Sequence, residues 1–309
     1  MRITFHDLTV DPEPWLDFLR QAFPRADIAV WQPGAPQADY ALVWAPPQQL
    51  LDEQPQLKAL FNIAAGVDAL LQLRLPPGVP IFRLDDAGMA VQMAEYVAQA
   101  VIRFYRELDG VQADARAGRW QQREPQPRAH YPVGVMGLGV LGQRVLRGLQ
   151  AFDFPLRGWS RTPQRIDGVQ TFAGPEQWHE FLAGSRVLVN LLPLTHETEN
   201  ILNHGSLSRL LPGAYLINVA RGRHLVDEDL LALLDNGHLT GALLDVFRQE
   251  PLPAEHPFWR EPRISITPHT SARTLRQESL SQIVAKMAAL QAGAPPESLG
   301  GLVRPQVGY

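Results

Sequence analysis

PVGVMGLGVLGQRVLRGLQAF occupies residues 132–152. Its first five residues are small and apolar, as a strand buried on both faces requires. GLGVLG at 137–142 follows at once, and a helical pattern follows that. Strand, G-x-G-x-x-G turn and helix in this order make a dinucleotide-binding βα unit. Gly137 lets the chain turn sharply out of the strand. Gly139 has no side chain, so a pyrophosphate can approach the backbone of Gly139, Val140 and Leu141. Gly142 lets the helix sit close to the sheet. Free N–H groups and the positive dipole end of the helix favour the phosphates. The same pattern also serves as a tight strand–helix turn in other α/β proteins, including Rossmann-like methyltransferases.

The next strand, PLRGW at 155–159, runs into SRT at 160–162. A dinucleotide fold usually places an acid here, which hydrogen-bonds the ribose of NAD. Ser160, Arg161 and Thr162 stand there instead. A guanidinium makes a charge-assisted fork with a 2′-phosphate, and hydroxyls donate to it. The expected cofactor is therefore NADP(H), with Arg165 as a further positive charge.

Short apolar runs alternate with helical patterns along the rest of the chain. Strands are expected at 2–5, 26–30, 40–44, 57–63 and 79–82. A second series follows at 132–136, 155–159, 186–192, 214–219, 241–246 and 263–268. Alternating β and α segments favour a parallel sheet covered by helices. The expected fold class is α/β, with two Rossmann- or flavodoxin-like doubly wound domains. A helix is expected over 88–109, and a polar, arginine-rich arm bearing Trp120 after it. VDEDLLALLDNG at 226–237 reads as a helix with Asp227 as N-cap. The final helical segment, from Ser271 to about Gln291, is expected to return to the first domain. The expected boundaries are 1–98 plus 286–309 for a substrate-binding domain and 99–285 for the cofactor domain. The second includes a dimerisation arm at about 100–130.

The chain has 309 residues and a net charge of −4, which argues against a nucleic-acid binder. It has no cysteine, so disulfides, thiolate metal sites and a cysteine nucleophile are excluded. No secretory h-region opens it, and no apolar run is long enough to span a membrane. A cytoplasmic protein without membrane contact is the expectation. His179-Glu180 lacks a second histidine at metalloprotease spacing, and His196 and His204 form no recognisable cluster, so no metal is expected. There is no G-x-S-x-G and no Walker motif.

Three late segments carry candidate chemistry. INVARGR (217–223) places Arg221 after a strand. LLDVFRQEPLP (243–253) carries Asp245 and Glu250. ITPHTSA (266–272) places His269 beyond another strand. In a parallel sheet such loops converge at the carboxyl ends of the strands. Arg221 suits a carboxylate and a ketone, and His269 suits proton donation to the ketone oxygen. Glu250 suits the support of a charged imidazole. Taken singly, these residues read as a surface charge, a loop acid and a cap.

GLGVLG, INVARG, LLDVF with EPLP, and ITPH, in this order, resemble the D-isomer-specific 2-hydroxyacid dehydrogenases. The resemblance covers nearly the whole chain, since NIAAGVDAL (62–70) also belongs to it. LDDAGMAVQMAEY, FPLRGWSRT and NLLPLT narrow it to a branch reducing glyoxylate and hydroxypyruvate with NADPH. It implies two domains with the active site in the cleft between them. It implies Arg221, Glu250 and His269 as the catalytic set. It implies that the backbone of Ala65, Gly66 and Val67 binds the substrate carboxylate, together with Arg221, and that Trp44 walls the pocket. Leu192, Pro193 and Ala220 are implied against the cofactor, with Asp245 near its nicotinamide amide. A homodimer and a small 2-oxo acid substrate complete the expectation. The competing readings are a non-catalytic dinucleotide sensor on this fold and a related dehydrogenase with another substrate.

Overall fold

The structure is a computed structural model and describes residues 1–305. The chain forms two units, Met1–Gly88 with Thr274 onward, and Met89–Arg273. The divisions fall just before two long helices, so each helix stays whole within one unit. They precede the boundaries expected at 98/99 and 285/286, which would have cut those helices.

The first unit holds β1 (Arg2–His6), β2 (Asp27–Val30), β3 (Tyr40–Val43), β4 (Ala59–Asn62) and β5 (Ile81–Phe82). Its helices are α1 (Glu13–Ala22), α2 (Gln48–Glu53), α3 (Asp68–Leu71) and, from the far end of the chain, α10 (Arg276–Gln291). The sheet order is β2-β1-β3-β4-β5, with every pair parallel. This is the flavodoxin-like order. β3 and β4 are buried throughout, which explains their uninterrupted apolar sequence. α10 returns here as expected, and Leu280, Ile283 and Met287 join Ile3, Phe5 and Trp15 in one core.

The second unit holds α4 (Met89–Tyr105), α5 (Leu108–Arg116), α6 (Val140–Gln150), α7 (Trp178–Ala183), α8 (His204–Leu207) and α9 (Asp227–Asp235). Its strands are β6 (Val133–Met136), β7 (Leu156–Ser160), β8 (Val169–Ala173), β9 (Val187–Asn190), β10 (Ala214–Asn218), β11 (Leu239–Leu244) and β12 (Ile264–Ile266). The parallel sheet runs β12-β11-β10-β9-β6-β7-β8. Counted from β6, this is the Rossmann order with one strand added at the β12 edge. Strand order reverses between β6 and β9, so the glycine turn after β6 opens at the switch point, where such folds take their ligands. α6 buries Gly142, Val145, Leu146 and Leu149, a helical stripe against the sheet.

Three local features differ from the sequence reading. β8 is an additional edge strand, and only Phe172 of it is buried, so its apolar signal is weak. The helix expected over 88–109 breaks at Glu107, whose φ is +52°, and α5 then extends into the arm. Asp227 is not the N-cap of α9. Val226 takes that position, and Asp227, Glu228 and Asp229 fill the first turn, where acids favour the helix dipole.

Candidate active site

The glycine turn has the geometry its sequence implies. Gly137 has φ +94°, a left-handed conformation that favours glycine, and a Cβ there would lie 2.7 Å from the Leu191 carbonyl oxygen. A Cβ on Gly142 would stand 1.8 Å from the Gly137 carbonyl oxygen, so only glycine allows this helix–strand approach. Gly139 is the opposite case: a Cβ there meets nothing within 4 Å. The turn is therefore closed toward the protein and open at Gly139, directly before the first residue of α6. Val140 is 53% exposed beside it, so the start of the helix is accessible to a ligand. These features fit a dinucleotide pyrophosphate.

Ser160 ends β7 and is buried, and its hydroxyl donates to the Thr162 carbonyl at 2.7 Å. It was expected to donate to a phosphate. The hydroxyl proton is committed to the turn, so Ser160 shapes the segment that presents Arg161 and Thr162, both exposed.

The three late segments carry the candidate chemistry on loops of this unit. His269 Nδ1 meets Glu250 Oε2 at 2.8 Å. The carboxylate accepts, so Nδ1 carries the proton of that bond and Nε2 is left for a substrate. Glu250 Oε1 accepts from the Phe247 N–H at 2.9 Å, which fixes the other end of the carboxylate. Burial pushes the Glu250 carboxyl up. The bonds from His269 and Phe247, with the charges of His269 and Arg221, outweigh burial and hold it below its ordinary value. The pairing is therefore present above the ordinary carboxylate range and is lost only as pH falls through that lowered value. Arg221 enters as one of the charges acting on Glu250. A Cβ at Gly222 would stand 1.8 Å from the Phe247 carbonyl carbon, so glycine lets the Arg221 turn pack on the backbone leading to Glu250.

His269 has φ +53°, a left-handed conformation that is unusual for a residue with a side chain. Its N–H bonds the Asp245 carbonyl at 2.8 Å. The Asp245 carboxylate, fully buried, accepts from the Thr267 hydroxyl at 2.5 Å and from the N–H groups of Thr270 and Ser271 at 2.8 and 2.9 Å. Asp245 was expected beside the nicotinamide amide. Instead its carboxylate is spent on the loop that carries His269. The Tyr96 hydroxyl on α4 completes the chain by donating to Thr267 Oγ1, whose own proton goes to Asp245. Burial pushes the Tyr96 phenol up to about 12, against an opposing effect of the Thr267 bond, so it keeps its proton at neutral pH.

Leu192 is buried and its N–H bonds Asn190 Oδ1 at 3.1 Å, whereas Pro193 is exposed. The Ala220 N–H bonds Asn218 Oδ1 at 3.3 Å. Among the described residues no group of three or more histidine, aspartate or glutamate side chains is placed to hold a metal ion.

In the first unit, Trp44 follows β3, half-buried against the core of that unit. Ala65, Gly66 and Val67 follow β4. Asn62, buried at the end of β4, donates to the carbonyls of Ala64 and Gly66, both at 2.8 Å. Sequence reading passed over Asn62. Its signal was a single amide closing an otherwise apolar strand.

Residues 98–271 match the model of a family described as D-isomer specific 2-hydroxyacid dehydrogenase, NAD binding domain. The chain belongs to this family. A glyoxylate/hydroxypyruvate reductase A of Serratia proteamaculans (strain 568) is 48% identical across the whole of both chains. A second protein of that description, from Yersinia enterocolitica, is 45% identical over 98% of this chain and 99% of its own. Among solved structures, a D-isomer specific 2-hydroxyacid dehydrogenase of Xanthobacter autotrophicus Py2, in complex with NADPH and MES, superposes with a TM-score of 0.93. It is 37% identical over 100% of this chain and 99% of that one. An NADPH-dependent glyoxylate/hydroxypyruvate reductase of Sinorhizobium meliloti, with NADP and sulfate, gives a TM-score of 0.91. It is 33% identical over 100% of this chain and 99% of its own. This family member thus has relatives of the reductase branch along its whole length.

Proposed function

We propose that this dehydrogenase-family chain reduces small 2-oxo acids, glyoxylate and hydroxypyruvate, to glycolate and D-glycerate with NADPH. The observation that carries the reading is the His269–Glu250 pair at 2.8 Å, with Arg221 acting on the same carboxylate. The names of the relatives above set the substrate class, and the Ser160-Arg161-Thr162 segment supports the phosphorylated cofactor.

Gly137, Gly139, Val140, Leu141 and Gly142 hold the pyrophosphate. Arg161 pairs with the 2′-phosphate on the turn that Ser160 and Thr162 form. Leu192, Pro193 and Ala220 bound the nicotinamide half. When bound, NADPH supplies the hydride that reaches the keto carbon. Arg221 binds the substrate carboxylate and polarises the ketone, with the backbone of Ala65, Gly66 and Val67 as the second carboxylate contact. His269 delivers the Nε2 proton to the ketone oxygen as that oxygen gains charge. Glu250 holds the ring by Nδ1 and stabilises the imidazolium before the transfer. Asp245 places His269 by fixing its loop. Trp44 walls a pocket for a short substrate. A cytoplasmic homodimer completes the reading. The segment after α5 supplies the contact, and its Trp120 is 96% exposed, a large apolar side chain left for a partner.

The test is NADPH consumption with a panel of glyoxylate, hydroxypyruvate and bulkier 2-oxo acids. Turnover with the two small acids is expected. NADPH binding without turnover on any of them would identify a dinucleotide sensor instead.

A further inference from the structure

Two buried amides that end β9 and β10, and a buried histidine on the short turn Gly222–His224 after β10, play no part in the proton transfer. Asn190, Asn218 and His224 are each fully buried. Buried polar groups are costly unless hydrogen-bonded, and a closed network of them specifies one local arrangement.

The orientation of each is fixed by the backbone. Asn190 Oδ1 accepts from the Leu192 N–H at 3.1 Å, so its Nδ2 is the end that donates. Nδ2 meets Asn218 Oδ1 at 3.0 Å and His224 Nδ1 at 2.9 Å. Asn218 Oδ1 also accepts from the Ala220 N–H at 3.3 Å, and its Nδ2 donates to the Arg221 carbonyl at 3.1 Å. His224 Nδ1 therefore accepts and carries no proton. The proton sits on Nε2, which faces the Pro193 carbonyl at 3.3 Å. That carbonyl also takes the Thr198 hydroxyl at 2.7 Å, so the His224 bond aims it rather than merely satisfying it.

We infer that His224, held as the Nε2–H tautomer, is a positioning residue. Through Asn190 and Asn218 it ties the Leu192-Pro193 segment to the Ala220-Arg221 segment. Its two nitrogens act on different ends. Nε2 sets Pro193, on the cofactor side. Nδ1 sets the asparagine pair that holds the backbone of Arg221, on the substrate side. The inference rests on the proposed reductase reading for the meaning of the two sides, and on hydrogen bonding alone for the tautomer.

Three variants and one spectrum test it. His224→Asn keeps an acceptor near Nδ1 and loses the Nε2 donor. It should lower kcat about five- to tenfold and leave the KM for glyoxylate near wild type. His224→Gln keeps a donor near Nε2 and loses the Nδ1 acceptor. It should raise that KM about five- to tenfold with kcat near wild type. His224→Phe should show both losses. Retained kcat and KM in His224→Phe, or parallel losses in all three variants, would reduce His224 to a space-filling residue and overturn the inference.

The wild-type protein, labelled with 15N-histidine, gives the readout that needs no turnover. The resonance lost in His224→Gln should show a protonated Nε2 and a bare Nδ1 at neutral pH. A proton on Nδ1 overturns the circuit whatever the enzyme turns over. The expected tautomer in a wild-type protein inactive on every 2-oxo acid would leave the hydrogen bonds standing. It would remove the reductase reading, and the kinetic part of the inference with it.

Discussion

Replacing His269 with alanine should lower kcat by about 10²–10⁴-fold, the range for losing a positioned general acid. The geometry makes the effect specific. Nδ1 is held by Glu250 at 2.8 Å, so Nε2 is the only ring nitrogen free to deliver a proton. No other part of the proposed mechanism supplies one. NADPH affinity should change little, because the glycine turn lies after β6 and does not depend on the loop after β12. The left-handed backbone at 269 is strained for any residue with a Cβ, histidine and alanine alike. Asparagine tolerates this conformation better. His269→Asn should therefore keep the fold and lose kcat as fully as alanine does. Steady-state kinetics beside NADPH binding checks both variants. A loss of kcat below tenfold, or an equal loss of NADPH affinity, would remove His269 from the acid role.

Asp245→Ala should be strongly destabilising. The carboxylate accepts three hydrogen bonds and is fully buried. Its removal leaves the buried Ser271 N–H without an acceptor, at about 1–3 kcal/mol, and also breaks the bonds from Thr270 and Thr267. A total near 3 kcal/mol lowers Tm by roughly 6–12 °C. Turnover should fall further than stability predicts, because the loop that sets His269 in its strained conformation loses its anchor. Tyr96→Phe offers a graded comparison, since it removes only the outer hydroxyl of the chain. Thermal melts and kcat, measured on both variants, decide. An unchanged Tm in Asp245→Ala would mean that the loop is held from elsewhere.

Much of this was legible in the sequence, and the exceptions have physical causes. The glycine turn was readable because the left-handed backbone at Gly137 and the close approach of Gly142 to Gly137 are demands of the turn itself. The all-buried strands were readable because burial on both faces leaves unbroken apolar runs. β8 was not, because an exposed edge strand with one buried side chain has no such run. The break at Glu107 was not, because a helical pattern carries through it on both sides. Arg221 and His269 were legible as chemical types just beyond strands, and Glu250 as an acid in a proline-flanked loop. The work of Asp245 was not, since a carboxylate at a strand end faces a cofactor or a neighbouring loop according to tertiary geometry alone. Asn62, Asn190 and Asn218 share a sign that could have been read. Each closes a buried strand with an amide, where an apolar residue would be the default.

Arg161, on the turn after β7, is proposed to set the preference of this reductase for NADPH. The direct measurement is kcat/KM for glyoxylate reduction with NADPH and with NADH, on the wild-type chain and on Arg161→Ala. A charge-assisted bond to a phosphate contributes about 1.5–3 kcal/mol, roughly a factor of 10–150 in the ratio. The wild-type chain should prefer NADPH by at least tenfold, and Arg161→Ala should lose most of that preference through its NADPH value alone. A wild-type chain that uses NADH as well as NADPH, or a variant that loses both equally, would contradict the account.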